Sequence, residues 1–334
     1  MSISAGKIKH LKALSNQKGI IAAAAMDQRA SLQKAIAAAR GVDPKTITPE
    51  MMAEFKTTVS RVLTPYASAI LLDPEYGLDA ARARASNAGL LLAYEESGYD
   101  KPKPGRLPDL LPHVSGKRIA DWGANAVKIL LYYSPFDAPE VNDIKHAFIE
   151  RVGAECEFLQ IPFFLESVGY DPKGGNEKGL EYARLKPRVV MGTMQEFSKT
   201  QYHVDVLKVE IPVNLEFVEG SGVYKGEKAY TRAEAMDLFR QAGAVTEKPF
   251  IFLSAGVGNA QFVESLHMAA EAGVDYSGVL CGRATWKDGM PIYAKSGAKA
   301  LEDWLADQGV KNIQAVNAAL TGAQPWAKKL GVAV

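Results

Sequence analysis

The amino-acid sequence predicts a single-domain (β/α)8 TIM barrel over residues 1–334, with extra helices at both ends of the chain. Three observations carry that expectation: eight short apolar runs, a helix or a loop and helix after each, and no antiparallel hairpin signal between any two of them. The chain exceeds the ~250 residues usual for such a barrel because of its loops. A doubly wound open sheet competes, but no glycine fingerprint follows the first run. No internal repeat, linker or low-complexity block divides the sequence.

After a helical lead-in (Ile8, Leu11, Leu14), Gly19 to Met26 reads as the first strand and ends in Asp27-Gln28-Arg29. Thr48 then caps a helix with Pro49 at its first position, running to about Leu63. Ala69 to Leu72 is the second strand, with an acidic, turn-rich tip from Asp73 to Gly77. Gly89 to Tyr94 is the third, followed by Glu95 and Glu96. The prolines between Tyr99 and Pro112 exclude a long helix there and predict a loop. A helix over about Ser115–Trp122 leads to the fourth strand, Ala124 to Tyr133, which carries Lys128 in its apolar run. A helical pattern from Ala138 to Leu159 precedes the fifth strand, Ile161 to Glu166, which is expected to terminate in Glu166. The glycine-rich stretch Gly169 to Gly179 is a loop, and Tyr182 to Phe197 is helical or mixed around Pro187.

The sixth strand, Asp205 to Val213, places Lys208 inside an otherwise apolar run. The loop from Phe217 to Tyr230 follows, then a capping box at Thr231 and Glu234 that starts the next helix. Pro249 to Leu253 is the seventh strand, ending in Ser254-Ala255-Gly256-Val257-Gly258. A helix through Phe262, Leu266 and Ala270 leads to the eighth, Gly278 to Cys281, ending in Gly282-Arg283. The remainder, from about Pro291, is helical.

Hydrophobic residues make up 47% of the chain and charged residues 23%, which fits a folded enzyme-sized protein rather than a disordered or fibrous one. The 39 basic and 38 acidic residues leave a formal charge of +1 without runs of either sign, so neither nucleic acid nor membrane is an expected partner. Cys156 and Cys281 are far apart and read as reduced thiols of a cytoplasmic protein. The N-terminal residues lack the apolar core of a signal peptide, and no stretch reaches the length of a membrane span.

In a barrel of this type, polar residues at the carboxyl ends of different strands converge on one mouth. Those ends supply Asp27, Gln28 and Arg29; Asp73 and Glu75; Lys128; Glu166; Lys208 and Glu210; Ser254 and Gly256; Gly282 and Arg283. A lysine in a strand is usually one whose stem packs while its ammonium reaches water. Two lysines on even-numbered strands can instead share a layer, and mutual repulsion would then lower one pKa and free an amine to attack a carbonyl. Glu166, between them, is placed for proton transfer. The glycines, hydroxyl and guanidinium after strands seven and eight suit a phosphate. The five histidines are scattered without ligand spacing, so neither metal nor cofactor is expected.

The motifs Ala25-Met26-Asp27-Gln28-Arg29, Leu71-Leu72-Asp73-Pro74-Glu75-Tyr76-Gly77, Leu90-Leu91-Leu92-Ala93-Tyr94-Glu95, Val127-Lys128-Ile129-Leu130-Leu131, Pro162-Phe163-Phe164-Leu165-Glu166, Asp205-Val206-Leu207-Lys208-Val209-Glu210, Leu253-Ser254-Ala255-Gly256-Val257 and Gly278-Val279-Leu280-Cys281-Gly282-Arg283 resemble the class I tagatose 1,6-bisphosphate aldolases, in order, from about Gly19 to Lys299. The resemblance implies Lys208 as the Schiff-base lysine, Glu166 as acid and base, and Lys128 and Asp27 as supporting charges. It implies Ser254 and Arg283 as phosphate contacts; Gln28, Arg29, Gly256 and Gly282, from the same strand ends, are expected to bind the substrate or its phosphates. A phosphorylated ketose is the expected partner, and a homo-oligomer is expected from the habit of the class. Departures at Ala22–Ala25, 40–48 and Gly169–Gly179 lie in or beside loops that shape the pocket. They leave open a sulfonated ketose phosphate, 6-deoxy-6-sulfofructose 1-phosphate, as an alternative substrate. Two rival readings remain: a metal-dependent barrel with Asp27, Asp73 and Glu75 as ligands, and a non-catalytic barrel that senses phosphosugars.

Overall fold

Eight parallel strands close into a barrel: β1 (Ile21–Met26), β2 (Ala69–Leu72), β3 (Gly89–Ala93), β4 (Ala126–Tyr133), β5 (Phe163–Gly169), β6 (Val206–Glu210), β7 (Phe250–Leu253) and β8 (Gly278–Cys281). Each pairs with its sequence neighbours, and β8 returns to β1. This computed structural model describes residues 3–98 and 104–332. The expected loop from Tyr99 to Pro112 therefore falls partly outside the described residues; its remainder holds a single turn, Pro104–Arg106, and a bridge from Glu95 to Leu110.

Alternation along the strands sorts side chains into two cores. Ala23, Ala25, Leu71, Leu91, Phe164, Val206, Ile251 and Leu280 fill the barrel interior, whereas Ala24, Met26, Ile70, Leu92, Val127 and Leu165 face the surrounding helices. The alanines of β1 thus serve both faces, and their small volume leaves space for longer side chains from the strands opposite. At the bottom, Leu11 and Leu14 from the Ala5–Leu14 helix and Trp326 from the Trp326–Leu330 helix join the interior cluster. Lys7 fastens that N-terminal helix to β6 by pairing with Asp205 at 2.9 Å and Glu157 at 2.6 Å.

The helices follow the local signals. Thr48 accepts from the Met51 amide at the head of Pro49–Leu63, and the Thr231–Glu234 capping box opens Arg232–Ala244. Two helices not anticipated, Ala30–Arg40 and Leu78–Ala83, fill connections after β1 and β2. The expected end of the fifth strand at Glu166 is corrected: β5 continues to Gly169, paired through Ser167, Val168 and Gly169 with the long β4. Pro187 sits inside an unbroken Leu180–Phe197 helix, so that segment is helical rather than mixed. Among the described residues, no helix is long and apolar enough to cross a membrane.

Candidate active site

The register of the central strands sets the reaction centre. Lys128 lies opposite Phe164, which lies opposite Val206; Lys208 is two residues above Val206 on β6. Tilted strands in a barrel shift by about one residue per strand, so a two-residue offset over two strands brings both lysines to one level. Glu166 stands in register with Lys208 on the strand between.

The three side chains meet. Glu166 Oε2 is 2.9 Å from Lys128 Nζ and 2.8 Å from Lys208 Nζ. Lys128 Nζ also donates to Asp27 Oδ2 at 2.8 Å and to Glu95 Oε1 at 2.9 Å. Lys128 is fully buried and Lys208 is 3% exposed, so neither ammonium is a snorkelling one. Burial by itself disfavours the Lys128 charge, but Asp27, Glu166 and Glu95 outweigh it and hold its pKa well above the ordinary lysine value. Lys128 is therefore a fixed cation. The repulsion expected between two bare ammonium groups is replaced by carboxylates set between them.

The acids respond unequally. Burial pushes Asp27 and Glu166 upward, yet Lys128 and Lys208 more than reverse this and keep both below the usual carboxylate range. Glu95 goes the other way, because its burial outweighs the help of Lys128 and Arg29. A second layer holds this centre from outside the barrel. Lys56, fully buried on the Pro49–Leu63 helix, pairs with Asp73 at 2.5 Å and donates to the carbonyls of Met26 and Gln28 at 2.7 Å each. It thereby pins the backbone on both sides of Asp27.

Above these groups opens a cleft of about 710 Å3, lined among others by Gln28, Lys208, Glu210, Ser254 and Arg283. At its β7–β8 corner, Ala255 and Gly256 take positive φ of 48° and 80°. A Cβ on Gly256 would stand 2.7 Å from Arg283 Cζ, so only glycine lets the guanidinium lie against this turn. A Cβ on Gly282 would stand 2.8 Å from the Ala25 carbonyl, and Trp286 Nε1 donates to that carbonyl at 2.9 Å. The corner presents backbone, the Ser254 hydroxyl and one guanidinium to the cleft.

A family model described as "DeoC/LacD family aldolase" matches residues 21–288. The chain belongs to that family. Among curated relatives of this aldolase, the tagatose 1,6-diphosphate aldolase of Listeria monocytogenes is 50% identical over 332 residues, covering 99% of this chain and 96% of the relative. Tagatose 1,6-diphosphate aldolase 2 of Enterococcus faecalis is 51% identical over 333 residues, with 99% of each covered. Solved structures of a Schiff-base-forming fructose-1,6-bisphosphate aldolase (TM-score 0.57, 14% identity, 94% of this chain and 99% of that one) and of an archaeal fructose 1,6-bisphosphate aldolase (TM-score 0.55, 13% identity, 91% and 99%) share its barrel.

In this aldolase the residues singled out from sequence fall into two groups. Asp27, Gln28, Arg29, Glu166, Lys208, Ser254, Gly256, Gly282 and Arg283 all border the cleft, with Lys128 directly beneath it. Arg29 does so as an engaged residue: its Nη atoms bond Glu75 at 2.9 Å and the Glu95 carbonyl at 2.8 Å. Asp73 and Glu75 are not free ligands; the first faces Lys56 and the second Arg29. The trio Asp27, Asp73 and Glu75 is thus divided among three cations, and among the described residues no group of three or more histidines, cysteines and acids is placed to share an ion. Glu95 and Lys56 were not anticipated. A glutamate before Glu96 reads as a solvated strand end, and a lysine two residues after Glu54 reads as a helix's wet face.

Proposed function

We propose that this aldolase cleaves D-tagatose 1,6-bisphosphate reversibly to dihydroxyacetone phosphate and D-glyceraldehyde 3-phosphate through a Schiff base on Lys208. The observation that carries the reading is Glu166 Oε2 within hydrogen-bonding range of both Lys128 and Lys208 at the barrel mouth. The names of the relatives at half identity over nearly the whole chain support the substrate.

Glu166 takes a proton from Lys208, and the neutral amine adds to the C2 carbonyl. Return of that proton to the carbinolamine oxygen lets water leave and gives an iminium. The iminium withdraws the electrons of the C3–C4 bond, while Glu166, again a carboxylate, accepts the C4 hydroxyl proton directly or through water. The same proton is then delivered to C3 of the enamine, and hydrolysis frees the second triose and Lys208. Lys128 and Asp27 keep the charges around Glu166 constant, and the iminium occupies the place of the Lys208 ammonium beside the same carboxylate. Ser254, Gly256, Gly282 and Arg283 receive the phosphate next to the carbonyl, with Gln28 and Arg29 beside them beyond the adjoining end of β1. The reading needs neither metal nor cofactor.

Incubation with dihydroxyacetone phosphate and borohydride tests it. Peptide mass mapping is expected to find the reduced triose on Lys208, and Lys208→Ala to abolish both labelling and turnover. Label on a different lysine, or undiminished turnover in the variant, would overturn it. Side-by-side kinetics on the tagatose and fructose bisphosphates and on 6-deoxy-6-sulfofructose 1-phosphate separates the substrate from its sulfonated alternative.

A further inference from the structure

One buried polar atom in the cleft wall is left over by this mechanism. Tyr182, on the Leu180–Phe197 helix, is 6% exposed, borders the cleft, and its hydroxyl has no hydrogen-bond partner among the described residues. A buried hydroxyl without a partner costs free energy, so its retention points to a ligand that completes it. Burial, reinforced by Glu210 and Glu177, raises its pKa and keeps the phenol protonated, a donor as well as an acceptor.

Its surroundings are built rather than incidental. Gly169 ends β5 beside it: a Cβ there would stand 2.5 Å from the Tyr182 hydroxyl and 3.3 Å from Glu210 Oε2. Glu210 accepts from the Gly169 amide at 2.8 Å and pairs with Lys186, one helical turn after Tyr182, at 3.1 Å. The pair is neutral in sum. A wall without net charge suits an uncharged hydroxyl better than a second phosphate dianion.

Its height selects which hydroxyl. Glu210 is two residues above Lys208 on the same inward face of β6, about 7 Å higher along the strand at ~3.3 Å per residue. From C2 on the lysine nitrogen, the carbons that run toward the mouth on the aldehyde side are C3, C4 and C5. The hydroxyl of C5 is the first beyond the one that Glu166 deprotonates.

We infer that Tyr182, supported by Lys186, Glu210 and Gly169, forms a subsite that binds the C5 hydroxyl of the substrate and so selects the aldehyde half. This rests on the Schiff-base reading above, and the test separates the two. In the condensation direction, Tyr182→Phe should raise KM for glyceraldehyde 3-phosphate about five- to tenfold, the effect of one lost hydrogen bond. The KM for dihydroxyacetone phosphate and borohydride trapping of that triose on Lys208 should not move. With 3-oxopropyl phosphate, an aldehyde lacking the hydroxyl in question, wild type and variant should behave alike.

An unchanged KM for glyceraldehyde 3-phosphate overturns the subsite, as does an equal loss with 3-oxopropyl phosphate. Trapping that fails in Tyr182→Phe but works in the wild type makes Tyr182 a structural residue and also overturns it. Trapping that fails in the wild type overturns the Schiff-base reading itself. Gly169→Ala, which must displace the Tyr182 hydroxyl, is expected to reproduce the aldehyde-specific defect.

Discussion

Removal of the Lys56 ammonium measures how much the outer layer contributes to the reaction centre. In Lys56→Met the Asp73 carboxylate, fully buried, keeps the amides of Glu75 and Tyr76 at 3.1 and 2.8 Å but loses the cation paired with it at 2.5 Å. Breaking one side of a buried ion pair costs about 3–5 kcal/mol, because the remaining charge is uncompensated. At about 2.1 cal/mol/K per residue, a chain of 334 residues unfolds with an entropy on the order of 0.7 kcal/mol/K, so Tm should fall by roughly 4–7 °C. Differential scanning calorimetry reads this directly. Adding Asp73→Asn removes the stranded charge while keeping the oxygen that caps Glu75 and Tyr76, and should restore most of the loss. Activity should not return with it, since the carbonyls of Met26 and Gln28 still lack their anchor and Asp27 is no longer pinned beside Lys128. A kcat at least tenfold below wild type is expected in both variants. A stability loss under about 1 kcal/mol in Lys56→Met, or a double variant no more stable than the single, would refute the pairing as the source of the effect.

Acid and a single methyl group supply two further tests. Asp27 and Glu166 have folded pKa values below their usual 3.8 and 4.5, so the stability they contribute is present above those usual values and lost as pH falls below them through the folded values; Glu95, raised, opposes this in part. Urea midpoints should therefore begin to drop below about pH 5 and go on dropping through pH 3, and Asp27→Asn should flatten the drop. Lys128 is raised, so its contribution persists below its usual 10.5 and disappears only in more alkaline solution. Gly278 has φ of +134°, and a Cβ there would stand 2.0 Å from the Ile21 carbonyl across the β8–β1 seam. Gly278→Ala should cost about 1–3 kcal/mol or more, seen as a lower Tm and lower soluble yield; an unchanged Tm would contradict the closure described.

The strands were legible because a parallel barrel buries both faces of each, which leaves an unbroken apolar run wherever one lies. Polar residues inside those runs stood out for the same reason: a lysine there, as at Lys128 or Lys208, either sends its ammonium out to water or serves a function or a specific partner. β5 was read too short because a charge inside a run normally marks its end, whereas at a barrel mouth the inward face is polar while the backbone ladder continues. Lys56 and Glu95 were beyond reach for a different reason. Each acts through a partner distant in sequence, Lys56 on Gln28 and Glu95 on Lys128, and no periodicity within a helix or strand end encodes that pairing. The repulsion argument named two lysines that the barrel does bring to one level, but not the electrostatics between them, since it could not foresee three acids converging on one ammonium.

The hydrophobic floor formed by Leu11, Leu14 and Trp326 has a kinetic consequence. With the barrel sealed from below, traffic runs through one door. Under the proposed reaction the ketone half is tethered to Lys208 at depth while the aldehyde half lies nearer the opening, so the fragments must depart in sequence, aldehyde before ketone. In the synthetic direction the order of arrival is reversed, and the tethered triose must already be seated when its partner enters. Under that reaction the closed floor and the tether together make the mechanism ordered, with the covalent intermediate waiting behind a queue of length one.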